Sequence, residues 1–204
     1  MRQRATTEAA LRLSGVACVR GGRLLFRGVD LALAPGEGAL LTGPNGVGKS
    51  SLLRLVAGLI PACAGTVERR GALALADDRL ALDPDETVRQ ALGFWARIDR
   101  ATPAALDAAL DAMALASLGD VPVRMLSTGQ RKRASIARVI ASGALLWLLD
   151  EPANGLDSAS LDLLGMAAAA HLAKGGMILA ASHQPLPFDH RTRIDLRAFQ
   201  PEPA

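Results

Sequence analysis

The stretch GPNGVGKSS, Gly43 to Ser51, constrains this chain more than any other. It follows the apolar run Ala39 to Thr42 and precedes SLLRLVAGL, whose apolar residues recur with helical period and which Gly58 can close. Strand, glycine loop and helix in that order turn consecutive backbone N–H groups inward on a phosphate, and the helix N-terminus adds partial positive charge. Gly43, Gly48, Lys49 and Ser50 match G-x-x-x-x-G-K-[ST], with Lys49 reaching the terminal phosphates and the Ser50 hydroxyl suited to Mg²⁺. Pro44, Asn45, Gly46, Val47 and Ser51 complete the nucleotide-binding segment.

A second feature depends on the first. LLWLLDEP, Leu145 to Pro152, is a continuous apolar run that ends in two carboxylates. It reads as a strand buried on both faces, and ligands of parallel sheets sit at the carboxyl ends of strands. Asp150 is therefore expected to hold Mg²⁺ through water, and Glu151 to orient or deprotonate the water that attacks the γ-phosphate. Without the glycine loop, the same two acids would read as a solvated turn.

Composition narrows the partners. With 204 residues, half of them apolar, the chain suits a single domain. Its net charge of +3 comes almost wholly from arginines scattered along the sequence, which is compatible with nucleotide phosphates, an acidic membrane surface or nucleic acid. The absence of Tyr and the four Phe leave few rings for base stacking, so nucleic acid is the least favoured. Cys18 and Cys63 have no metal-ligand spacing and read as buried or half-buried free thiols. The N-terminus has no apolar h-region, and no apolar run reaches the length of a membrane span, which predicts a cytosolic chain whose membrane association runs through a partner.

Local patterns place these motifs. ALRLSGVACV, the Gly21-Gly22 turn and LLFRGVDLALAPGEG predict an antiparallel pair, and GTVERR and ALALAD two more short strands. TVRQALGFWARI predicts a helix; Thr102 and Pro103 start another that runs to Gly119 as its C-cap. Helix 129–142, strand 145–149, helix 158–173 and strand 177–181 follow, with RIDLRAFQPEPA left as a ragged end. The expected fold is α/β, a single domain over 1–204: a mostly parallel core sheet, an N-terminal antiparallel β subdomain and a small helical subdomain inserted at about 85–142.

LSTGQ at Leu126 to Gln130, NGLD at Asn154 to Asp157 and the histidine of ASHQP are not explained by phosphate-loop logic alone. Together with the loop and the acidic strand, in that order, they resemble the ATP-binding-cassette ATPases over nearly the whole chain. The resemblance implies that Ser127, Gly129 and Gln130 form a signature contacting the γ-phosphate, that Asp157 is a dimer contact, and that His183 senses the γ-phosphate. It also implies a head-to-tail homodimer with each ATP held between one chain's loop and the other's signature. A Ser-x-Gly turn at a helix start is itself a reasonable second phosphate clamp. The basic residues Arg131, Lys132 and Arg133 then read as a solvated or nucleotide-facing first turn.

Two positions depart from that family. Its Mg²⁺-ligating glutamine has no counterpart in LADDRLALDPDE, where Asp77 or Asp78 stands as the candidate oxygen ligand. Its adenine-stacking aromatic is replaced by Arg20 or Val19, and a guanidinium can stack on a purine. CVRGGRLLFRGVDLAL, LLWLLDEP and GGMILAASHQPL further resemble the ATP-binding subunits of bacterial cytochrome c maturation haem exporters. That implies a peripheral subunit on the cytoplasmic side of the inner membrane, working with integral permease subunits; the insertion Thr87 to Leu118, which phosphate chemistry does not need, is the expected docking surface. The alternatives are the ATPase of another small exporter or importer, or a phosphate-loop kinase or GTPase; a GTPase would need a guanine-reading N-K-x-D, which the sequence lacks.

Overall fold

A computed structural model describes residues 10–77 and 79–201. The phosphate-loop pattern resolves into a five-stranded parallel sheet. Its strands are β3 (Gly38–Thr42), β5 (Leu73–Ala76), β6 (Leu146–Asp150), β7 (Met177–Ala181) and β8 (Thr192–Asp195), in the spatial order β5-β6-β7-β3-β8. A three-stranded antiparallel sheet in the order β2-β1-β4 joins β1 (Leu11–Arg20), β2 (Arg23–Leu33) and β4 (Ala64–Arg69). The two short strands expected after the first helix thus part company, β4 to the antiparallel sheet and β5 to the parallel one.

Side-chain alternation in the central strands sorts the core into two layers. Ala39 and Leu41 of β3, Leu146 and Leu148 of β6, and Met177 and Leu179 of β7 pack with α1 (Lys49–Val56) and the inner face of β1 and β2. Leu40, Trp147, Leu149, Ile178 and Ala180 face the other way, towards Val139 of α4 (Thr128–Ala141) and Ala168 of α5 (Ser158–Ala173). Every residue of β3, β6 and β7 is buried, including the polar Thr42 and Asp150 at their carboxyl ends, as strands covered on both faces require.

Between β5 and β6 the chain inserts α2 (Val88–Ile98), α3 (Pro103–Ala112) and α4. These helices pack on an apolar cluster of their own that includes Leu92, Leu110, Met113, Leu115 and Ile136. Helix α3 stops well short of the expected Gly119. The Ala114 N–H bonds to Asp111 O at 3.0 Å and the Leu115 N–H to Leu110 O at 2.8 Å, a Schellman closure with Ala114 left-handed at φ 49. Buried Leu110 and Leu115 favour the reversal there, and Gly119 only caps a short 3₁₀ turn, Ala116–Leu118.

The end of the chain is also more ordered than its composition predicts. Thr192–Asp195 is an edge strand, paired in parallel with β3 so that Thr42 lies beside Asp195, and the buried Ile194 and Leu196 anchor it. Four residues are too few for an alternation signal. Both cysteines are free thiols; Cys18 is buried, whereas Cys63 is exposed, outside the expected burial.

Candidate functional site

All the carboxyl ends of the parallel strands point to one edge. Along it the register sets Thr42 beside Asp195 and Asp150 beside Ala181, so four strand ends are level. The loop at the end of β3 takes left-handed backbone at Gly43, Gly46 and Gly48, with φ of 132, 81 and 113. A Cβ at Gly48 would stand 2.8 Å from the buried Phe26 ring, so both its φ and its packing demand glycine. Helix α1 then begins at Lys49 with no side-chain cap and no acidic residue in its first turn. Among the described α-helices it alone lacks a side-chain cap. Orphan N–H groups and a positive dipole end at a glycine loop suit a phosphate.

Lys49, Glu151 and His183 meet at this loop. The Lys49 side chain is nearly buried; its ammonium donates to Gly43 O at 2.8 Å and lies 3.8 Å from Glu151 Oε1. Glu151 Oε2 accepts from His183 Nδ1 at 2.9 Å, and His183 Nε2 lies 3.4 Å from the Gln184 side-chain amide. Those partners assign the Nδ1–H tautomer of His183, with Nε2 left as acceptor. Glu151 is left-handed at φ 46, a conformation that disfavours a side chain, and its N–H is held by Ala181 O at 2.8 Å. A carboxylate aimed between an ammonium and an imidazole can hold and deprotonate a water molecule.

Around this trio the expected ligands divide. The Asp150 side chain is buried at the end of β6, and Ser50 is half-buried in the first turn of α1. A carboxylate and a hydroxyl are the hard oxygens Mg²⁺ prefers, and Mg²⁺ needs only one or two from protein. Asp77 has Oδ2 on Arg54 at 3.1 Å and Oδ1 on the Arg79 N–H at 3.1 Å, so both oxygens are engaged away from the loop. Asp78 lies outside the described residues. Arg20 stands exposed at the end of β1 opposite Arg23, and among the described residues no hydrogen bond or ion pair links it to the loop.

The signature forms a separate cluster. Ser127 caps α4: its hydroxyl accepts from the Gln130 N–H at 3.2 Å while the Gln130 side chain accepts from the Ser127 N–H at 2.8 Å. Gly129 passes so near Gly155 O that a Cβ there would lie 2.9 Å from it, so the signature and NGLD turns pack together. Asp157 caps α5 through the Ser160 N–H at 2.8 Å, and hydrogen bonding from the Ser160 hydroxyl first, then from that N–H, holds its carboxyl below the usual range. No hydrogen bond or ion pair among the described residues joins Ser127, Gly129 or Gln130 to residues 43–51.

In the basic first turn of α4, Arg131 is exposed while Lys132 and Arg133 are half-buried, and each donates to a backbone carbonyl. Arg131 donates to Arg124 O at 2.9 Å, Lys132 to Asp150 O at 3.0 Å and Arg133 to Met113 O at 2.8 Å. Long flexible donors here satisfy carbonyls of neighbouring loops. Gln184 is a site neighbour that sequence reasoning passed over, its only signal being adjacency to His183.

The chain is similar over most of its length to known proteins. The family model described as ABC transporter matches residues 26–154. The chain is 57% identical over 173 residues to a Cytochrome c biogenesis ATP-binding export protein of Sphingopyxis alaskensis, covering 85% of this chain and 89% of that one. With the protein of the same description from Novosphingobium aromaticivorans it shares 53% identity over 194 residues, covering 95% and 99%. Among solved structures, an ABC transporter ATP-binding protein from Pyrococcus furiosus superposes with TM-score 0.82 at 17% identity, covering 94% of this chain and 99% of that one. A Clostridium perfringens protein described as part of the ABC transporter complex cbiONQ gives 0.72 at 23%, covering 87% and 79%.

Proposed function

The chain belongs to the ABC transporter family, and from that membership we propose that it is the ATP-hydrolysing subunit of a membrane exporter serving cytochrome c biogenesis, with haem as the species handled. The observation that carries the reading is the convergence of Lys49, Glu151 and His183 at an uncapped helix start behind a glycine loop. Residues 43–51 wrap the phosphates of ATP, Lys49 reaches the β and γ oxygens, and Glu151 takes a proton from the attacking water. His183 holds Glu151 through Nδ1–H and senses the γ-phosphate. Ser50 and Asp150 would hold Mg²⁺, which when bound neutralises charge on the phosphate oxygens. Arg20 is the candidate stacking partner of the adenine.

Two copies act together head to tail. Ser127, Gly129 and Gln130 head α4 and pack on the turn before Asp157 rather than on the loop, which suits a clamp on another chain's nucleotide. Among the described residues no helix is long and apolar enough to cross a membrane. Integral permease subunits would supply the spanning part and hold this chain at the cytoplasmic face of the bacterial inner membrane.

ATP-dependent dimerisation of Glu151→Gln tests the site. The expected result is a dimer on size exclusion with ATP and Mg²⁺ and a monomer with ADP. A variant that binds ATP yet stays monomeric would overturn the paired-site reading. Failure of haem delivery to a periplasmic acceptor in a Lys49→Ala strain tests the export assignment, and normal delivery with a dead ATPase would sink it.

A further inference from the structure

Strand β8 ends at the same edge as the phosphate loop, and beyond it a cleft of about 710 Å³ opens. Its walls include Gly43 and Pro44 on one side, Ser182 and His183 on another, and Arg193 and Arg197 on the third. Alternation along β8 sends Ile194 into the core and sets Arg193 and Asp195 together on the opposite face. The Asp195 carboxylate reaches the loop itself, for a Cβ on Gly43 would lie 3.4 Å from its Oδ1.

A carboxylate beside a phosphate-binding loop repels phosphate unless it is neutralised. Arg197 does that: its Nε donates to Oδ1 at 3.1 Å and Oδ2 at 2.9 Å, its Nη2 to Oδ2 at 2.5 Å, and its backbone N–H to Oδ1 at 3.0 Å. These bonds hold the Asp195 carboxyl below the usual range, so it stays ionised and fully engaged. Arg193 adds its field to the same carboxylate, its side chain makes no hydrogen bond among the described residues, and it is exposed on the cleft. Two guanidinium groups against one carboxylate leave the wall net positive. It lies on the β8 side of the loop, away from β6 and its Asp150.

We propose that this cleft is an orthophosphate site, the first station of the phosphate leaving after hydrolysis, with Arg193 and Arg197 as its anion-binding wall. The proposal rests on the ATPase reading above. Hydrolysis leaves a phosphate dianion between the loop and His183 while ADP and the closed partner chain fill the side by which ATP entered. A dianion moves towards fixed positive charge, and guanidinium donors match phosphate oxygens in pairs. His183 lies at the junction, its Nδ1 on Glu151 and its ring on the cleft.

Inhibition of steady-state ATP hydrolysis by added orthophosphate reads the site directly. Arg193→Gln should raise the inhibition constant for orthophosphate about fivefold and the double variant with Arg197→Gln about tenfold or more, with KM for ATP and inhibition by ADP unchanged. Arg193→Lys should recover part of the effect, since a point charge replaces a fork. Arg193 gives up no hydrogen bond within the described residues, so its single variant decides the matter if loss of the Arg197 clamp unfolds β8. An active wild-type enzyme indifferent to orthophosphate, or an unchanged constant in Arg193→Gln, overturns the proposal. A parallel rise in KM for ATP also overturns it, because the arginines would then hold ATP itself. A wild-type protein that neither binds nor hydrolyses ATP would instead remove the ATPase reading on which it stands.

Discussion

Glu151 and Ala114 hold nearly the same unfavourable backbone, at φ 46 and 49, in two regions built to different ends. Ala114 closes α3 where any left-handed residue would do, and its neighbours Leu110 and Leu115 gain burial from the reversal. Around it the helical layer obeys every local rule: capping boxes at Thr87 and Ser127, Thr102 before Pro103, and a compact apolar cluster. Glu151 gains no burial from its twist. It stands where the sheet edge gathers an ammonium, an imidazole and two carboxylates at an uncapped helix. Strain in one region serves packing, and in the other it aims a functional group.

The sharpest way to break that contrast is to make both positions glycine. Glu151→Gly should lower ATP hydrolysis by about 10²- to 10⁴-fold, read as kcat, while leaving the fold intact and its thermal midpoint no lower. If hydrolysis survived, the aimed carboxylate would be irrelevant. Next in size, Leu110→Ala in the helical layer should cost about 2–5 kcal/mol in urea unfolding, with kcat per folded molecule little changed. A large kcat loss at full folding would erase the distinction between the regions.

Smaller effects sharpen the comparison. Ser127→Ala removes one half of a capping box and should cost about 1 kcal/mol of stability, yet it should weaken ATP-dependent dimerisation by more than the lost stability accounts for. An effect on stability alone would make the Ser127 turn purely structural. Ala114→Gly should stabilise the protein by about 0.5–1 kcal/mol without touching kcat, since glycine takes the left-handed conformation at no steric cost.

The smallest effect concerns His171, stacked on Trp147 with ring centroids 3.9 Å apart and bonded to Met177 O. Burial pushes its imidazole below the ordinary value, so its folded pKa lies under its unfolded one of about 6.5. The stability tied to the neutral ring is full above that unfolded value and is lost as pH falls through the lower folded value. Unfolding free energies measured from pH 7.5 down to 5 should therefore decline by roughly a few tenths of a kcal/mol for this one half-buried group. His171→Phe should flatten that part of the decline.

What could be read from residues alone follows the same division. Helix α1, the start of α3, the central strands and the loop were legible because apolar pattern, cap residues and glycine punctuation agree there, as at Gly58 and at Thr102 before Pro103. The end of α3 was not, because the burial of Leu115, a tertiary fact, stops it before any glycine. Strand β8 is four residues long and owes its existence to β3. Arg131, Lys132 and Arg133 read as a solvated or nucleotide-facing turn, and Arg131 is indeed exposed, but carbonyl acceptors supplied by other segments draw Lys132 and Arg133 into half-buried positions. Charge in a sequence is visible, whereas the direction a long side chain takes is not.

The Lys132 bond to the Asp150 carbonyl has a mechanical reading. It braces the first turn of α4, where the signature lies, against the last residue of β6. In a head-to-tail pair the signature belongs to the neighbour's nucleotide and Asp150 to the chain's own. A shift of β6 with its own nucleotide would thus be handed, through one ammonium, to the clamp offered across the interface. The two sites of a pair would then keep step by a strut rather than by a shared ligand.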